Sequence, residues 1–283
     1  MRGRRFKTQA DIDRYIKQGY GQGEGIDYKP WLRVRDVPSK GRSHIVPGSK
    51  IDRAYHFLSD IEFYYFLSLE FSEQILDIRE QYPILEIEQT KAIATSLGIK
   101  YPNYPGTNVP FIFSTDFLVT YQGDDGLPHL AARSVKDETA LEPSESLEWT
   151  LLKLEIERIY WKSKGISWLL VTNKTINPII SHNLTWLRSG IRLDRQLHDK
   201  KLHQLFIETF AHLNGSDRKL QSMIKSTSTA IHLNYKDGVL LFKHLVWNKA
   251  IRLNFSETCL DLAMKAPKFE LFATSICPDQ GVS

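Results

Sequence analysis

Apolar and polar positions alternate with a period of two between Phe111 and Lys136. Phe-Ile-Phe-Ser-Thr-Asp-Phe-Leu-Val-Thr-Tyr is rich in aromatic and β-branched residues, Gln122-Gly-Asp-Asp-Gly126 is turn chemistry, and Leu130-Ala-Ala-Arg-Ser-Val-Lys136 resumes the extended pattern. A β-hairpin follows. Its alternation places Ile112, Ser114, Asp116 and Leu118 on one face of the first strand, and Leu130, Ala132, Ser134 and Lys136 on one face of the second.

Around this hairpin the pattern predicts a short helix over 11–18, a capped helix over 59–70, a strand over 74–82, a short helix over 90–97 and a Pro-rich loop over 98–110. A long helix over 146–164 carries Leu147, Leu151, Leu154, Arg158 and Trp161 on its stripe and is closed by Gly165. The run 166–172 is apolar on both faces, as in a buried parallel strand. Beyond 173 the pattern turns helical: 177–187 with Pro178 in its first turn, then 194–213, 217–226 and 236–248, followed by two strand-like pieces at 250–255 and 258–263. The expected architecture is α/β, with helices flanking a mixed sheet in a domain over 1–173. A mostly helical domain on the winged-helix plan follows over 174–283.

Composition narrows the function only by exclusion. In 283 residues, 42% hydrophobic and 25% charged, global disorder is ruled out, and a net charge of +4 permits nucleic-acid binding without requiring it. Two cysteines, Cys259 and Cys277, build neither a disulfide framework nor a Cys-rich zinc site, so a reducing cytoplasm is expected. The longest apolar runs, such as 166–171, fall far short of the roughly 20 residues that span a bilayer, so no membrane partner is expected. Met1 to Lys7 has no apolar stretch of the kind a secretory signal needs.

Several stretches carry candidate chemistry. Gly19, Gly21, Gly23 and Gly25 have nucleotide-loop spacing, but no predicted strand precedes them and no helix follows. The segment 28–50 interleaves aromatics with bases, among them Lys29, Arg33, Arg35, Lys40 and Arg42, and reads either as a loop along a DNA backbone or as a solvated surface loop. Ser59-Asp-Ile-Glu62 fits a capping box, with Glu62 reaching back to the Ser59 amide; yet Glu62, Phe66 and Leu69 lie at i, i+4 and i+7, which aims the same carboxylate along an apolar stripe. If the hairpin faces coincide, Asp116 meets Lys136 on one side of an otherwise apolar sheet. This suits a metal-dependent nuclease, and also an ordinary cross-strand ion pair. Glu157 stands beside the stripe of the long helix, either as an accessory acid or as a surface partner of Arg158. His198 and His203, five apart, are expected on different sides of a helix and make no zinc site; His56 reads as a packing residue.

His56-Phe-Leu-Ser-Asp-Ile-Glu62, Leu76-Asp-Ile-Arg-Glu-Gln-Tyr-Pro83, Ser114-Thr-Asp-Phe-Leu-Val119, Lys136 and Leu154-Glu-Ile-Glu-Arg-Ile-Tyr-Trp161 resemble the TnsA endonuclease family of Tn-seven-type transposons. So do Gly21-Gln-Gly-Glu-Gly-Ile-Asp-Tyr-Lys-Pro-Trp-Leu32 and Val37-Pro-Ser-Lys-Gly-Arg-Ser-His44, so that the likeness runs from about residue 12 to 190. The resemblance implies a restriction-endonuclease-like fold and a Mg²⁺-dependent endonuclease, with Mn²⁺ able to substitute. It also implies double-stranded DNA at transposon ends as substrate, a TnsB-type transposase as partner, and a TnsC-type ATPase docking on the C-terminal domain. Position by position it implies Glu62 and Asp116 as metal-binding acids and Lys136 as the active-site lysine. Ser134 departs from the pattern, because such folds usually place an acid two residues before the lysine. The metal then leans on Glu62, Asp116 and the backbone carbonyl of Val135, with Ser134 and Glu157 as accessory positions. Ser134 also keeps open a non-catalytic scaffold, and a free-standing restriction or repair nuclease is a third reading.

Overall fold

The structure, a computed structural model, describes residues 6–37, 41–254 and 256–271. The chain divides into two compact units, Met1–Ile176 and Asn177–Ser283.

The first unit opens with α1 (Gln9–Lys17), where the Thr8 side chain accepts the Asp11 N–H and Asp11 reaches back to the Thr8 N–H. Next come β1 (His44–Pro47), β2 (Ala54–Phe57), α2 (Asp60–Phe71), β3 (Ile75–Pro83) and α3 (Ile87–Ser96). β4 (Ser114–Gln122), β5 (Pro128–Lys136), α4 (Leu147–Ser163) and β6 (Ser167–Thr172) complete it. The main sheet has the order β3-β4-β5-β6, antiparallel across its first two pairings and parallel between β5 and β6. A parallel pair needs a long crossover, and α4 supplies it.

The register sets the site. Leu118 faces Ala132 and Phe117 faces Arg133, so continuing the ladder puts Asp116 across from Ser134. On the other side of β4 the pairs Glu80↔Phe117 and Tyr82↔Thr115 bracket Gln81 and Asp116. Leu118 and Ala132 pack with Ile93 of α3 and Ile156 and Trp161 of α4. Phe117, one residue on, points the opposite way, with its ring 6.0 Å from Phe57 of β2 and 5.5 Å from Tyr65 of α2. The sheet is covered on both faces, and Asp116 lies where β4 begins and β3 and β5 end.

Two boundaries differ from the pattern. The β1–β2 hairpin lies partly in the segment read as a loop, because β1 is four residues long, buries none of them fully and ends in Pro47. β4 starts at Ser114 rather than Phe111: the Phe113 carbonyl still accepts the Ile84 N–H in register, but Phe111 gives its N–H to the Pro102 carbonyl and its carbonyl to the Tyr101 hydroxyl, so the ladder stops there.

In the second unit α5 (Pro178–Leu187), α6 (Lys200–Ala211), α7 (Leu220–Ala230) and α8 (Tyr235–Trp247) precede β7 (Ile251–Arg252) and β8 (Glu270–Leu271), which pair antiparallel. α6 begins at Lys200, after a 3-10 turn at Arg195–Leu197, later than the predicted 194. The strand expected at 258–263 does not form. α7 has no side-chain N-cap, and the Leu262 and Met264 carbonyls accept its Gln221 and Leu220 N–H groups at 2.8 and 2.9 Å, while Asn183 of α5 holds Thr258 and Leu260. Phe269, just before β8, closes the core against Phe210 and Phe242. Among the described residues no helix is long and apolar enough to cross a membrane.

Candidate active site

Glu62 stands in the first turn of α2 and is buried. The Ser59 hydroxyl accepts the Glu62 N–H at 3.3 Å and donates to Oε1 at 2.9 Å, so the N-cap forms. The return bond does not go to the Ser59 backbone N–H. Oε2 accepts the N–H of Leu58 at 3.0 Å and the Gln81 amide at 3.2 Å, which turns the carboxylate inward toward the sheet.

Asp116 is gripped from β5. Its Oδ2 accepts the Val135 N–H at 2.6 Å and the Lys136 ammonium at 2.7 Å; that ammonium also donates to the Val135 carbonyl at 2.8 Å. Asp116 Oδ1 lies 3.5 Å from the Gln81 amide nitrogen. The structure therefore brings Glu62, Asp116, Lys136 and the Val135 carbonyl to one place.

Gln81 was not singled out by the sequence. It is buried with φ +50°, a left-handed conformation that costs a non-glycine residue, and its carbonyl turns out of the ladder to accept the Trp31 N–H at 3.2 Å. The side-chain NH₂ faces both carboxylates, the orientation electrostatics demands between two anions. Nothing in a strand pattern marks such a residue, since its role comes from standing opposite Asp116.

The second half of the site comes from α4. Ser134, fully buried, accepts the Trp168 indole N–H at 3.0 Å and donates to Glu157 Oε2 at 2.5 Å. Glu157 is thus no surface partner of Arg158, which pairs with Glu155 at 2.6 Å. Its carboxylate reaches the position that Ser134 leaves without an acid. Lys153, one turn earlier on α4, is half-buried and within electrostatic reach of Asp116, Lys136 and Glu157. The sequence did offer a signal for it, the four-residue spacing from Glu157.

The charges oppose one another. Burial, with the Asp116 charge added, pushes both Glu62 and Glu157 up to about 7. Lys136 is pulled down by burial, but Asp116 and Glu157 outweigh it and hold the ammonium above its ordinary value. Lys153 is lowered by burial and then by Lys136. A divalent cation would relieve the two raised carboxyls, and the donors on offer are hard oxygens: Glu62, Asp116 and the Val135 carbonyl. Two of those oxygens already share one cation, the Lys136 ammonium. This donor set fits Mg²⁺, which keeps several waters, although among the described residues no three acidic, His or Cys side chains form a ready cage.

The basic segment is less uniform than its sequence. Arg33 turns inward, pairing with Asp36 at 3.0 Å and donating to the Tyr20 hydroxyl at 2.7 Å, so it is not a free DNA contact. Lys29, Arg35 and Arg42 are exposed, although the Lys29 ammonium donates to the Gln18 carbonyl; Lys40 lies outside the described residues. His198 and His203, expected apart, both approach His244, with ring centroids 6.4 and 5.3 Å away, and each of the three rings bonds a backbone carbonyl. Burial holds His244 down at about 4.

A family model for the N-terminal part of TnsA-like endonucleases matches residues 72–173, and a model for the TnsA endonuclease C terminus matches residues 175–255. The transposon Tn7 transposition protein TnsA of Escherichia coli is 38% identical over 264 residues, covering 91% of this chain and 92% of that protein.

Proposed function

The chain belongs to the TnsA endonuclease family, and on that basis we propose that it is a Mg²⁺-dependent endonuclease that cuts the 5′ ends of a transposon during cut-and-paste transposition. It works in the cytoplasm on double-stranded DNA, beside a TnsB-type transposase that processes the 3′ ends and a TnsC-type ATPase.

The observation that carries the reading is the Lys136 ammonium bound to both Asp116 Oδ2 and the Val135 carbonyl, with Glu62 tied to Asp116 through Gln81. Glu62, Asp116 and the Val135 carbonyl would hold the Mg²⁺, which would supply a water of lowered pKa and neutralise charge on the departing 3′ oxygen. Lys136, released from those oxygens, holds the scissile phosphate or orients the water, a task suited to a compact point charge. As the water oxygen bonds to phosphorus the P–O3′ bond breaks, and the leaving oxygen takes up a proton. Gln81 keeps the two carboxylates at working distance. The departure at Ser134 weighs little for a dead scaffold, since Glu157 brings a carboxylate to that hydroxyl.

The second unit is the docking module for the ATPase. On and beside α8, Lys243 donates to the Ser189 hydroxyl and lies over Trp186, while His244, held neutral by burial, is bound to the Gly190 carbonyl. That leaves few for reading bases.

The test is cleavage of end-labelled transposon-end DNA with Mg²⁺ and both partners. Wild type should cut the 5′ ends and Asp116→Ala should not, with an unchanged thermal transition. Equal products from both, with scission at the 3′ ends alone, would leave a scaffold.

A further inference from the structure

Lys153 is a cation in the site for which the reading above has no use. α4 places it four residues before Glu157, so the two side chains rise from one face of the helix, one turn apart. Glu157 is anchored through Ser134 on β5, two residues from Lys136. Ser134 stands across the ladder from Asp116, so α4 brings Lys153 to the same end of the sheet, within electrostatic reach of Asp116, Lys136 and Glu157, yet among the described residues no acceptor holds its ammonium by a hydrogen bond. Lys136, by contrast, is tied to Asp116 and the Val135 carbonyl.

A half-buried ammonium beside a second ammonium is costly unless an anion joins them. Glu157 offsets part of that cost, but one of its carboxylate oxygens is already committed to Ser134. Lys153 is also within electrostatic reach of Asp116, the residue at which the nuclease reading puts the metal. A phosphate brought to Asp116 would come within reach of both lysines.

We propose that Lys153 is a second phosphate-binding catalytic residue of this site, donating to a non-bridging oxygen of the DNA phosphate being cut while Lys136 serves its other side. The proposal rests on the nuclease reading. It divides the work of the site: the α2 and sheet side holds the metal, and α4 supplies a cation to the substrate. Two ammonium groups on the transferring phosphoryl oxygens stabilise the charge that grows there in the transition state.

The test uses the full chain with its transposase and regulator on transposon-end DNA. Lys153→Gln should slow single-turnover 5′ cleavage by about 10²-fold, and Lys153→Arg, which keeps the charge, by clearly less. Binding is read without divalent ion, so that nothing is cut. Lys153→Gln should weaken it and lower the salt slope by about one counterion. On DNA whose scissile phosphate is replaced by a neutral methylphosphonate, wild type and Lys153→Gln should bind alike. Unchanged cleavage in Lys153→Gln, or a binding difference that persists on the neutralised DNA, would overturn the proposal and leave Lys153 as a counter-charge for Glu157. A wild type that cuts no 5′ ends would sink the nuclease reading instead, and the methylphosphonate comparison would still decide whether Lys153 meets that phosphate.

Discussion

The two units bury polarity in opposite ways. In the first, Asp36, Glu62, Glu70, Arg79, Glu80 and Glu157 are buried ionisable side chains; in the second, the buried polar side chains among the described residues are Ser181, Asn183, Thr227 and Ser228, all neutral. Asn183 and Ser228 bond backbone groups, as architecture requires. Buried ions in the first unit are themselves of two kinds. Glu80 is matched by Arg53 at 2.6 Å and takes the His56 N–H, a closed pair that supports the sheet. Among the described residues Glu62 and Glu157 have no cation within ion-pairing distance, and both are pushed up to about 7. An enzyme tolerates such cost where a ligand is to relieve it, and the second unit, if it serves as the proposed docking module, has no reason to carry it.

That contrast can be broken at its closed pair first. Arg53→Met would strand the Glu80 carboxylate in the core and should cost the first unit about 3–5 kcal/mol. Chemical denaturation followed by hydrogen exchange of β3 and α8 peptides should show loss in β3 with α8 unaffected; equal loss in both would deny that the units are independent.

Smaller, and of opposite sign in the two units, is the response to pH. Glu157 has a folded value of about 7 against an ordinary 4.5, so the folded state binds the extra proton between them. The stability it contributes is complete below about pH 4.5 and lost as pH rises through 7, up to ~3 kcal/mol, and Glu157→Gln should flatten that slope. His244, lowered from 6.5 to about 4, behaves in reverse: its contribution is present above pH 6.5 and lost as pH falls toward 4. Exchange protection of α4 and α8, corrected for intrinsic rates, should therefore change in opposite directions between pH 4.5 and 7. Parallel curves would contradict the assignment.

Gly238→Ala should act on the second unit alone. A Cβ there would run into the Ser228 side chain of α7, so overpacking of about 1–3 kcal/mol outweighs the gain in helix propensity. A stabilised α8 in exchange measurements would show that α7 and α8 separate readily.

Much of the first unit was legible in its sequence. Side-chain period and turn chemistry mark β4 and β5 and put Asp116 and Lys136 on one face, because alternation is a local property of the backbone. The capping residue Ser59 announces the start of α2 for the same reason, whereas the Thr8 cap, which starts α1 two residues before the expected Asp11, went unread. The short β1–β2 hairpin and the pairing of β7 with β8 were not legible. Two to four residues carry too little pattern, and β8 lies 18 positions beyond β7.

By itself, then, the sequence determined most elements of the first unit and the hairpin face, and its resemblance to a known family gathered Glu62, Asp116 and Lys136 into one candidate site. Only the tertiary structure decided which charges are shared. Glu157 has Arg158 next to it in the chain and Ser134 next to it in space; Arg33 stands in a run of bases yet folds onto Asp36; Gln81 earns its place by facing Asp116 across a ladder. Those choices depend on desolvation, which no local pattern carries: a side chain's partner is set by what burial leaves it, and burial is a property of the whole fold.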